Sequence, residues 1–360
     1  MAETKDDAAK SVEQTNKEHE RQHFKNQDRV VAAIEKEYNR IMAQIIPLIE
    51  AGAVSAVIQR TLNKALKKFV KNTTGIIESG IKYSWEVSSQ KNLTYFEKRL
   101  EGYEIPPKIK EALLKPNNRV EAFIKRKQNG LTLSDRVWKS AEQFKSNVDM
   151  ALDVGIAEGK SAKQISRDIR QDLREPDRLF RRVRDARGRL KLSKPAKAYN
   201  PGQGVYRSAA KNSERLARTE LNMAYRAADG AAYQDNPLVL GYEIKLSATA
   251  KPKTRCELCR TMEGSYPVWF DWKGWHPNCL CFKIPILMSD DMMAQYQKLV
   301  ARGEDTPGAV KELQKGVRIE SLHDKAIKWI RDNNERMLGW KNLPYFYKDN
   351  KDILLGILLR

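Results

Sequence analysis

The sequence is organised around residues 255–281, which read RCELCRTMEGSYPVWFDWKGWHPNCLC. All four cysteines of the 360-residue chain lie in this stretch, together with one of its four histidines. The spacing is C-x2-C, then sixteen residues, then H-x2-C-x-C. Two thiolates two residues apart can hold one tetrahedral metal ion from a tight turn, and the second half repeats that arrangement. We call this stretch the Cys/His knuckle and predict that it holds a metal ion.

Zinc is the ion that this donor set favours, because zinc accepts sulfur and nitrogen together and has no redox chemistry. Four protein ligands form a closed structural site with no position for water. Two alternatives stay open: four reduced thiols without a metal, or a disulfide between the two halves of the knuckle. The predicted ligands are Cys256, Cys259, His276 and Cys279, with Cys281 as a spare or substitute.

The first residues, MAETKDDAAKSVEQ, lack the apolar core of a secretory signal. No run approaches the eighteen apolar residues of a membrane span, so we expect none. The lack of a signal sequence favours a reducing compartment, in which disulfides are rare. The apolar residues near the end of the chain, within 352–360, either fold back on the protein or dock into a partner.

Four aromatic residues lie between the two halves of the knuckle, namely Trp269, Phe270, Trp272 and Trp275. We expect them to pack as a small core over the metal site, because a module of this size has little other apolar mass. A contact surface for a partner is the alternative interpretation.

Two strands are predicted, one on each side of the knuckle. Residues 241–248 (GYEIKLSA) alternate apolar and polar side chains, which is typical of a half-buried strand. Residues 282–287 (FKIPIL) have a similar character. Pro285 places this second strand at a sheet edge, because proline has no amide hydrogen to donate. The sequence therefore predicts a small sheet with the knuckle at its end.

The rest of the chain has helical periodicity, so the predicted fold class is mainly α with a small β element (α+β). We divide the chain into four segments. Residues 1–28 are polar and lack an apolar stripe, which predicts a flexible N-terminus. Residues 29–130 are predicted to form a helical domain. Residues 131–288 contain the helical core, sheet and knuckle, and 289–360 form a helical C-terminal region.

Capping residues predict where several helices begin and end. Ser134 is the expected N-cap of a helix that ends at Gly159, where glycine suits the left-handed conformation. Ser161 and Gln164 predict a capping box at the next helix. In the C-terminal region we expect helices to begin at Ser289, Thr306 and Ser321.

The chain carries a formal net charge of +20. Its basic insert, residues 174–211, holds twelve basic and three acidic side chains and supplies almost half of that excess. The first part fits either a helix or a hairpin that turns at Arg187-Gly188. The insert is either a solvated loop or a sequence-independent contact to DNA phosphates. The predicted DNA-binding residues are Arg178, Arg181, Arg182, Arg184, Arg187, Arg189, Lys191, Lys194 and Lys197.

Residues 19–23 (HERQH) match H-E-x-x-H, a pattern in which two histidines of one helix bind zinc and the glutamate acts as a base. The flanking residues are charged, and no third ligand is evident in the sequence. We therefore interpret this motif as part of a solvated helix without proteolytic activity.

Within residues 131–287, several short motifs follow one another along the chain. The series consists of LARTE (216–220) with Ala224-Tyr225, then a strand, then C-x2-C-x4-G and HPNC-x-C. This order resembles the minor head protein, or head morphogenesis, family of tailed phages, of the phage Mu F type. The resemblance implies that Arg218, Thr219 and Glu220 form the family's motif helix. From the residues alone, Arg218 and Glu220 are expected to make weak ion pairs or cap contacts on the helix surface. A catalytic role is the alternative, but it needs a nearby base or nucleophile, and the sequence shows none.

Members of that family are minor components of phage heads that join the procapsid near the portal and assist assembly, DNA packaging or DNA delivery. The resemblance implies portal and capsid or scaffold proteins as partners, with non-specific DNA contact. It also implies a location in the head interior and, during assembly, in the bacterial host cytoplasm. We find no catalytic residues and expect no enzymatic activity.

The alternative function is a zinc-knuckle nuclease or toxin-type enzyme. Such a nuclease needs a histidine base beside a catalytic ion, whereas His276 is already assigned to the knuckle. A zinc-finger regulator is a third interpretation. It would need a recognition helix next to the knuckle, where the sequence instead predicts a strand.

Overall fold

The computed structural model describes residues 5–115, 119–174, 183–191, 205–247, 256–340 and 343–358. The fold is mainly helical with a small antiparallel sheet, which confirms the predicted class. The helices are α1 (Lys5–Glu50), α2 (Ser55–Leu100), α3 (Pro107–Leu114), α4 (Val120–Lys125), α5 (Leu133–Ala157), α6 (Ala162–Arg174), α7 (Ala209–Gln234), α8 (Glu257–Thr261), α9 (Asp290–Arg302), α10 (Pro307–Leu313), α11 (Asp324–Leu338), α12 (Tyr345–Asp349) and α13 (Lys351–Leu358). The strands are β1 (Val183–Arg184), β2 (Leu190–Lys191), β3 (Val239–Lys245), β4 (Gly264–Tyr266) and β5 (Phe282–Leu287).

The Cα positions cluster into two compact units that interleave along the chain. Unit 1 combines the residues up to Asn26 with Ile81–Phe123 and Leu221–Arg360. Unit 2 combines Gln27–Gly80 with Ile124–Glu220. Helices α1, α2 and α7 each contribute residues to both units, whereas the four segments predicted from the sequence follow one another along the chain.

Helix α1 begins well before residue 29, where the predicted helical domain starts. Apolar residues of that domain are buried in α1, with Ile34, Tyr38 and Ile45 almost inaccessible. The segment expected to be a flexible N-terminus is instead helical from Lys5 onward. Polar residues on its inward face, such as His23, are buried because they find hydrogen-bond partners, and apolar periodicity gives no sign of this.

Helix α5 begins at a different cap from the one predicted. Thr132 is the N-cap: its hydroxyl accepts a hydrogen bond from the Asp135 amide, and the Asp135 carboxylate accepts one from the Thr132 amide. The prediction of Ser134 is wrong, because this reciprocal capping box starts the helix two residues earlier. The left-handed Gly159 and the capping box of Ser161 with Gln164 are confirmed.

The C-terminal helices agree with two of the three predicted starts. Ser289 caps α9 and Thr306 caps α10. The third start, Ser321, is wrong, because the His323 side chain accepts the hydrogen bond from the Ala326 amide and α11 begins at Asp324. The last described helix, α13, folds back on unit 1 and buries Leu354 in its core.

The sheet of unit 1 has the strand order β4-β3-β5, with both pairs antiparallel. Strands β3 and β5 are the two that the sequence predicts. β5 is an edge strand of this sheet, as Pro285 indicated. The short β4 was not predicted and lies within the knuckle, so the knuckle is attached to the sheet by its own backbone.

The core of unit 1 is rich in aromatic side chains around the sheet and the knuckle. Phe270, Trp272 and Trp275 are buried there, as predicted. Trp269 is the exception: it is 37% exposed, and its indole N–H donates to the Glu320 carbonyl.

Unit 2 has a separate core of helical residues. The Tyr38 ring packs against Phe69 and Phe144, and its hydroxyl is 2.8 Å from the Ser213 hydroxyl.

Among the residues that the structure describes, no helix is both long and apolar enough to cross a membrane.

Candidate metal centre

Two tight turns present the donors of the Cys/His knuckle. Cys256 is the N-cap of the single-turn helix α8, and its sulfur accepts a hydrogen bond from the Cys259 amide at 3.3 Å. In the second half, the Cys279 amide donates to the His276 carbonyl at 3.2 Å. Asn278 takes a left-handed conformation in this turn (φ 58°). The first turn groups its own two donors, whereas His276 and Cys279 of the second turn belong to different groups.

The two turns converge. The His276 Nε2 atom lies 3.2 Å from the Cys256 sulfur and 3.2 Å from the Cys259 sulfur. The Cys259 and Cys279 sulfurs are 3.9 Å apart. Zinc–sulfur bonds of about 2.3 Å in a tetrahedron separate two sulfurs by about 3.8 Å, so this spacing fits one shared ion.

Two groups of three donors have all their ligand atoms within 4.8 Å of one another. The first is Cys256, Cys259 and His276, and the second is Cys259, Cys279 and Cys281. Cys259 belongs to both groups. The structure therefore links the five candidate donors through Cys259, but it divides the predicted set of four, because Cys279 is grouped with Cys281 rather than with Cys256 and His276. All four cysteines are free thiols rather than disulfides.

The orientation of His276 suits a metal ligand. Its Nδ1–H donates to the Pro277 carbonyl at 2.8 Å. That bond fixes the hydrogen on Nδ1 and leaves the lone pair of Nε2 directed at the two sulfurs.

The thiols differ in acidity. Burial opposes ionisation of Cys279, but hydrogen bonds with Cys259 and Cys281 and the nearby charge of Arg226 hold the pKa of its thiol well below the ordinary value. Hydrogen bonds with Cys279 and Cys281, followed by burial, raise the pKa of the Cys259 thiol.

Helix α7 supports the second half of the knuckle through two residues that the sequence analysis missed. The Arg226 guanidinium donates to backbone carbonyls of the knuckle, including those of Cys279 and Cys281. Asn222, one turn earlier, also donates to the Cys279 carbonyl, at 3.2 Å. The only signal in the sequence is a pair of polar residues four apart on one helix face.

A buried lysine lies beside this contact. Lys283, on β5, faces the Tyr242 ring at 4.8 Å and the Trp272 ring at 5.9 Å. Burial lowers the pKa of its amine to about 8. A second buried lysine, Lys91, forms an ion pair with Asp229 of α7 at 2.7 Å. Unit 1 therefore has a polar interior next to the knuckle as well as an aromatic one.

The H-E-x-x-H residues are not part of a metal site in the described residues, where the candidate ligand groups are those of the knuckle. His23 is buried between the Ser84 hydroxyl and the Asn222 side chain, and burial lowers its pKa to about 3. The Glu20 carboxylate accepts a hydrogen bond from Ser247. The expectation of a solvated helix is therefore wrong for this face, which is buried in unit 1.

The three residues of the motif helix have separate surroundings in unit 2. Glu220 is fully buried and bound by Arg126 at 2.9 Å and Arg136 at 2.5 Å. The expectation of a surface ion pair is therefore wrong for Glu220. Arg218 agrees better with the expected surface ion pair, because it forms ion pairs with Asp28 and Glu214. Thr219 donates its hydroxyl hydrogen to the Arg215 carbonyl.

Part of the basic insert forms a hairpin, one of its two predicted forms. Strands β1 and β2 pair antiparallel, and the turn between them uses Gly188 at φ +74°. The Asp185 carboxylate accepts hydrogen bonds from the Arg187 and Arg189 amides and from the Arg189 side chain. The described basic side chains are exposed: Arg184, Arg187, Arg189 and Lys191. The other predicted DNA contacts lie outside the described residues: Arg178, Arg181, Arg182, Lys194 and Lys197.

Comparison with known proteins gives no relative for this arrangement. No protein-family model matches the chain, and no curated protein or solved structure is significantly similar to it. The structural finding is a Cys/His cluster able to hold a metal ion, supported by α7 and enclosed by an aromatic core.

Proposed function

We propose that this chain is a minor head protein of a tailed phage or prophage that acts in head morphogenesis. The observation that carries the proposal is the contact between the two halves of the motif series. The helix that contains LARTE continues into Asn222 and Arg226, and these residues bind the backbone of HPNC-x-C. The helix that contains the first motif thus supports the last one, which supports the idea that they form one functional series.

The ion in the knuckle is zinc in this proposal. Three sulfurs and one imidazole nitrogen form a donor set typical of structural zinc sites. The predicted set is Cys256, Cys259, His276 and Cys279, with Cys281 as the spare thiol. Zinc would tie the turn at α8 to the turn at His276 and so stabilise unit 1, because the binding energy of a structural ion is also folding energy.

In the head, the protein would associate with portal and capsid or scaffold proteins and with packaged DNA. The net charge of +20 supports an anionic partner. The basic hairpin supports contact with the phosphate backbone, because its exposed arginines surround a turn whose single acid, Asp185, is already bound within the hairpin. Such contacts neutralise phosphate without reading base sequence.

We assign the protein a structural and assembly role without catalysis. The test is to purify heads from cells that carry the encoding phage or prophage and to quantify the chain by mass spectrometry against the portal protein. The proposal expects a low, fixed copy number per portal in both procapsids and mature heads. Absence of the chain from both particles would contradict it.

A nuclease assay separates this role from the enzymatic alternative. Purified protein is incubated with duplex and single-stranded DNA in the presence of Mg²⁺ or Mn²⁺. The proposal expects intact DNA under conditions in which the protein binds it. Cleavage that requires a residue of the knuckle would favour the nuclease instead.

A further inference from the structure

Arg226 binds the knuckle at three points. Its side chain is on α7 and only 3% of the residue is exposed. Nε donates to the Cys281 carbonyl at 3.0 Å, Nη1 to the Lys273 carbonyl at 3.0 Å, and Nη2 to the Cys279 carbonyl at 2.5 Å. One guanidinium therefore bridges both ends of the segment 273–281, which contains three of the five candidate donors.

The surroundings of the guanidinium fit this role. Its Cζ atom lies 5.0 Å from the centre of the Trp272 ring, which covers one face. Gly274 has a φ of +135°, and a Cβ atom at that position would lie 2.8 Å from Nη1. The knuckle backbone can approach Arg226 this closely because residue 274 has no side chain. Asn222 adds a second donor to the Cys279 carbonyl.

The two halves of the knuckle differ in how they are held. The first half is ordered by its own helix, since α8 is capped by the Cys256 sulfur. The second half is an irregular loop, in which the Cys279 amide donates to the His276 carbonyl. Its remaining carbonyls at Lys273, Cys279 and Cys281 point to Arg226. The guanidinium therefore ties the second half of the knuckle to α7 at three carbonyls.

We infer that Arg226 is the positioning residue of the metal centre: it holds the turn that carries His276, Cys279 and Cys281 against the turn of Cys256 and Cys259, so that the two donor groups meet at Cys259. The inference rests on the proposed metal site and adds the residue that sets its geometry. Lysine cannot replace this function fully, because an ammonium lacks the planar fork of donors that reaches three carbonyls at once.

The test compares the metal affinity of the wild-type protein with that of Arg226→Gln, by competition with a chromophoric zinc chelator. Loss of a residue that orients metal ligands lowers affinity by about 10- to 100-fold, and we expect a change of this size. Co²⁺ in place of zinc gives a second readout, because its sulfur charge-transfer bands and d–d bands report the ligand geometry. We expect weaker or shifted bands in the variant. Far-ultraviolet circular dichroism establishes that both proteins are folded.

Arg218→Gln is the matched control. It makes the same substitution on the same helix, but its guanidinium pairs with Asp28 and Glu214 rather than with the knuckle. We expect wild-type zinc affinity and an unchanged Co²⁺ spectrum. Arg226→Lys should have intermediate affinity, and it decides the question if Arg226→Gln does not fold.

Wild-type affinity and an unchanged Co²⁺ spectrum in folded Arg226→Gln, or in folded Arg226→Lys if the glutamine variant does not fold, would overturn the inference. If both variants unfold even in zinc-saturated buffer, Arg226 serves the fold rather than the metal centre, which also overturns it. Failure of the wild-type protein to bind zinc would instead refute the proposed metal site, so the two failures are distinguishable.

Discussion

Glu220 is a buried carboxylate shared by two arginines. Burial opposes its charge, but Arg126 and Arg136 hold the pKa of the carboxyl below its ordinary value of 4.5. A depressed pKa means that the folded protein binds the proton less readily than the unfolded chain. The stabilisation is therefore fully present above pH 4.5 and is lost as the pH falls through the lower folded pKa.

We predict that Glu220→Gln destabilises unit 2 by about 3 kcal/mol at neutral pH, because it leaves two partly buried arginines without their anion. Urea unfolding at a series of pH values measures this difference. The difference in unfolding free energy between the wild type and Glu220→Gln should be constant from pH 7 to about pH 5 and should shrink below pH 4.5. An advantage that grows as the pH falls would contradict this account.

The two candidate ligand groups predict different effects for substitutions of Cys259 and Cys281. Cys259 belongs to both groups, so Cys259→Ser should lose the bound zinc. Cys281 is the predicted spare, so Cys281→Ser should retain about one equivalent. Elemental analysis of these two variants and of Cys279→Ser, all purified in metal-free buffer, measures the zinc that each retains. If Cys281→Ser loses zinc and Cys279→Ser keeps it, the two cysteines exchange roles.

At the residue scale, the metal-donor side chains could be predicted from the sequence, whereas the residues that hold them in place could not. C-x2-C and H-x2-C are local patterns, and a tight turn is enough to bring each pair together. The partners of Arg226 and Glu220 lie about 50 to 95 positions away, and those of His23 up to 199. No local pattern reveals that such a polar residue is buried, since its burial depends on the partner that satisfies it.

At the element scale, capping chemistry determines helix starts more finely than periodicity does. The Thr132 box begins α5 two residues before the predicted cap, because Thr132 and Asp135 satisfy each other's amides. The three residues of β4 are too few to show an alternating pattern. β3 and β5 are longer, and both were predicted.

Thr132→Ala should destabilise the protein by about 1 kcal/mol, because it removes the side chain that accepts the first free amide of α5. Ser134→Ala is the matched control: Ser134 is exposed inside the first turn and makes no cap, so its effect should stay within about 0.5 kcal/mol. Urea unfolding midpoints compare the two. A larger loss of stability in Ser134→Ala than in Thr132→Ala would favour Ser134 as the N-cap of α5.

At the scale of the whole molecule, the fold class was predictable and the division into units was not. Periodicity shows which face of a helix is buried, but not which distant segment covers that face. Helix α1 illustrates this: Ile34 and Tyr38 belong to unit 2, whereas His23 belongs to unit 1. A linear division of the sequence cannot describe units built from alternating pieces.

The charge of the molecule makes a prediction about DNA. Its binding to duplex DNA should weaken with salt at a log–log slope of about 0.9 per phosphate contacted. Changing four arginines of the basic insert to glutamate should flatten that slope and weaken binding to all duplex sequences alike. Fluorescence anisotropy at several salt concentrations measures both quantities. The changed residues are Arg181, Arg182, Arg184 and Arg187.

The control reverses four exposed lysines of α2, which alters the net charge by the same amount at another place. If both variants lose affinity equally, net charge rather than the basic insert is responsible. Unchanged affinity and slope in the arginine variant would remove the insert as the contact and leave portal or capsid protein as the better partner. The control residues are Lys64, Lys67, Lys68 and Lys71.

The central claim is that the Cys/His knuckle holds one structural zinc ion. Elemental analysis of the purified full-length protein, prepared in metal-free buffer, tests it most directly. We predict close to one equivalent of zinc per chain, and chelation should lower the unfolding temperature of unit 1, because the energy of binding a structural ion contributes to folding. A fully folded wild-type protein that contains no metal and does not change on addition of zinc would contradict the account.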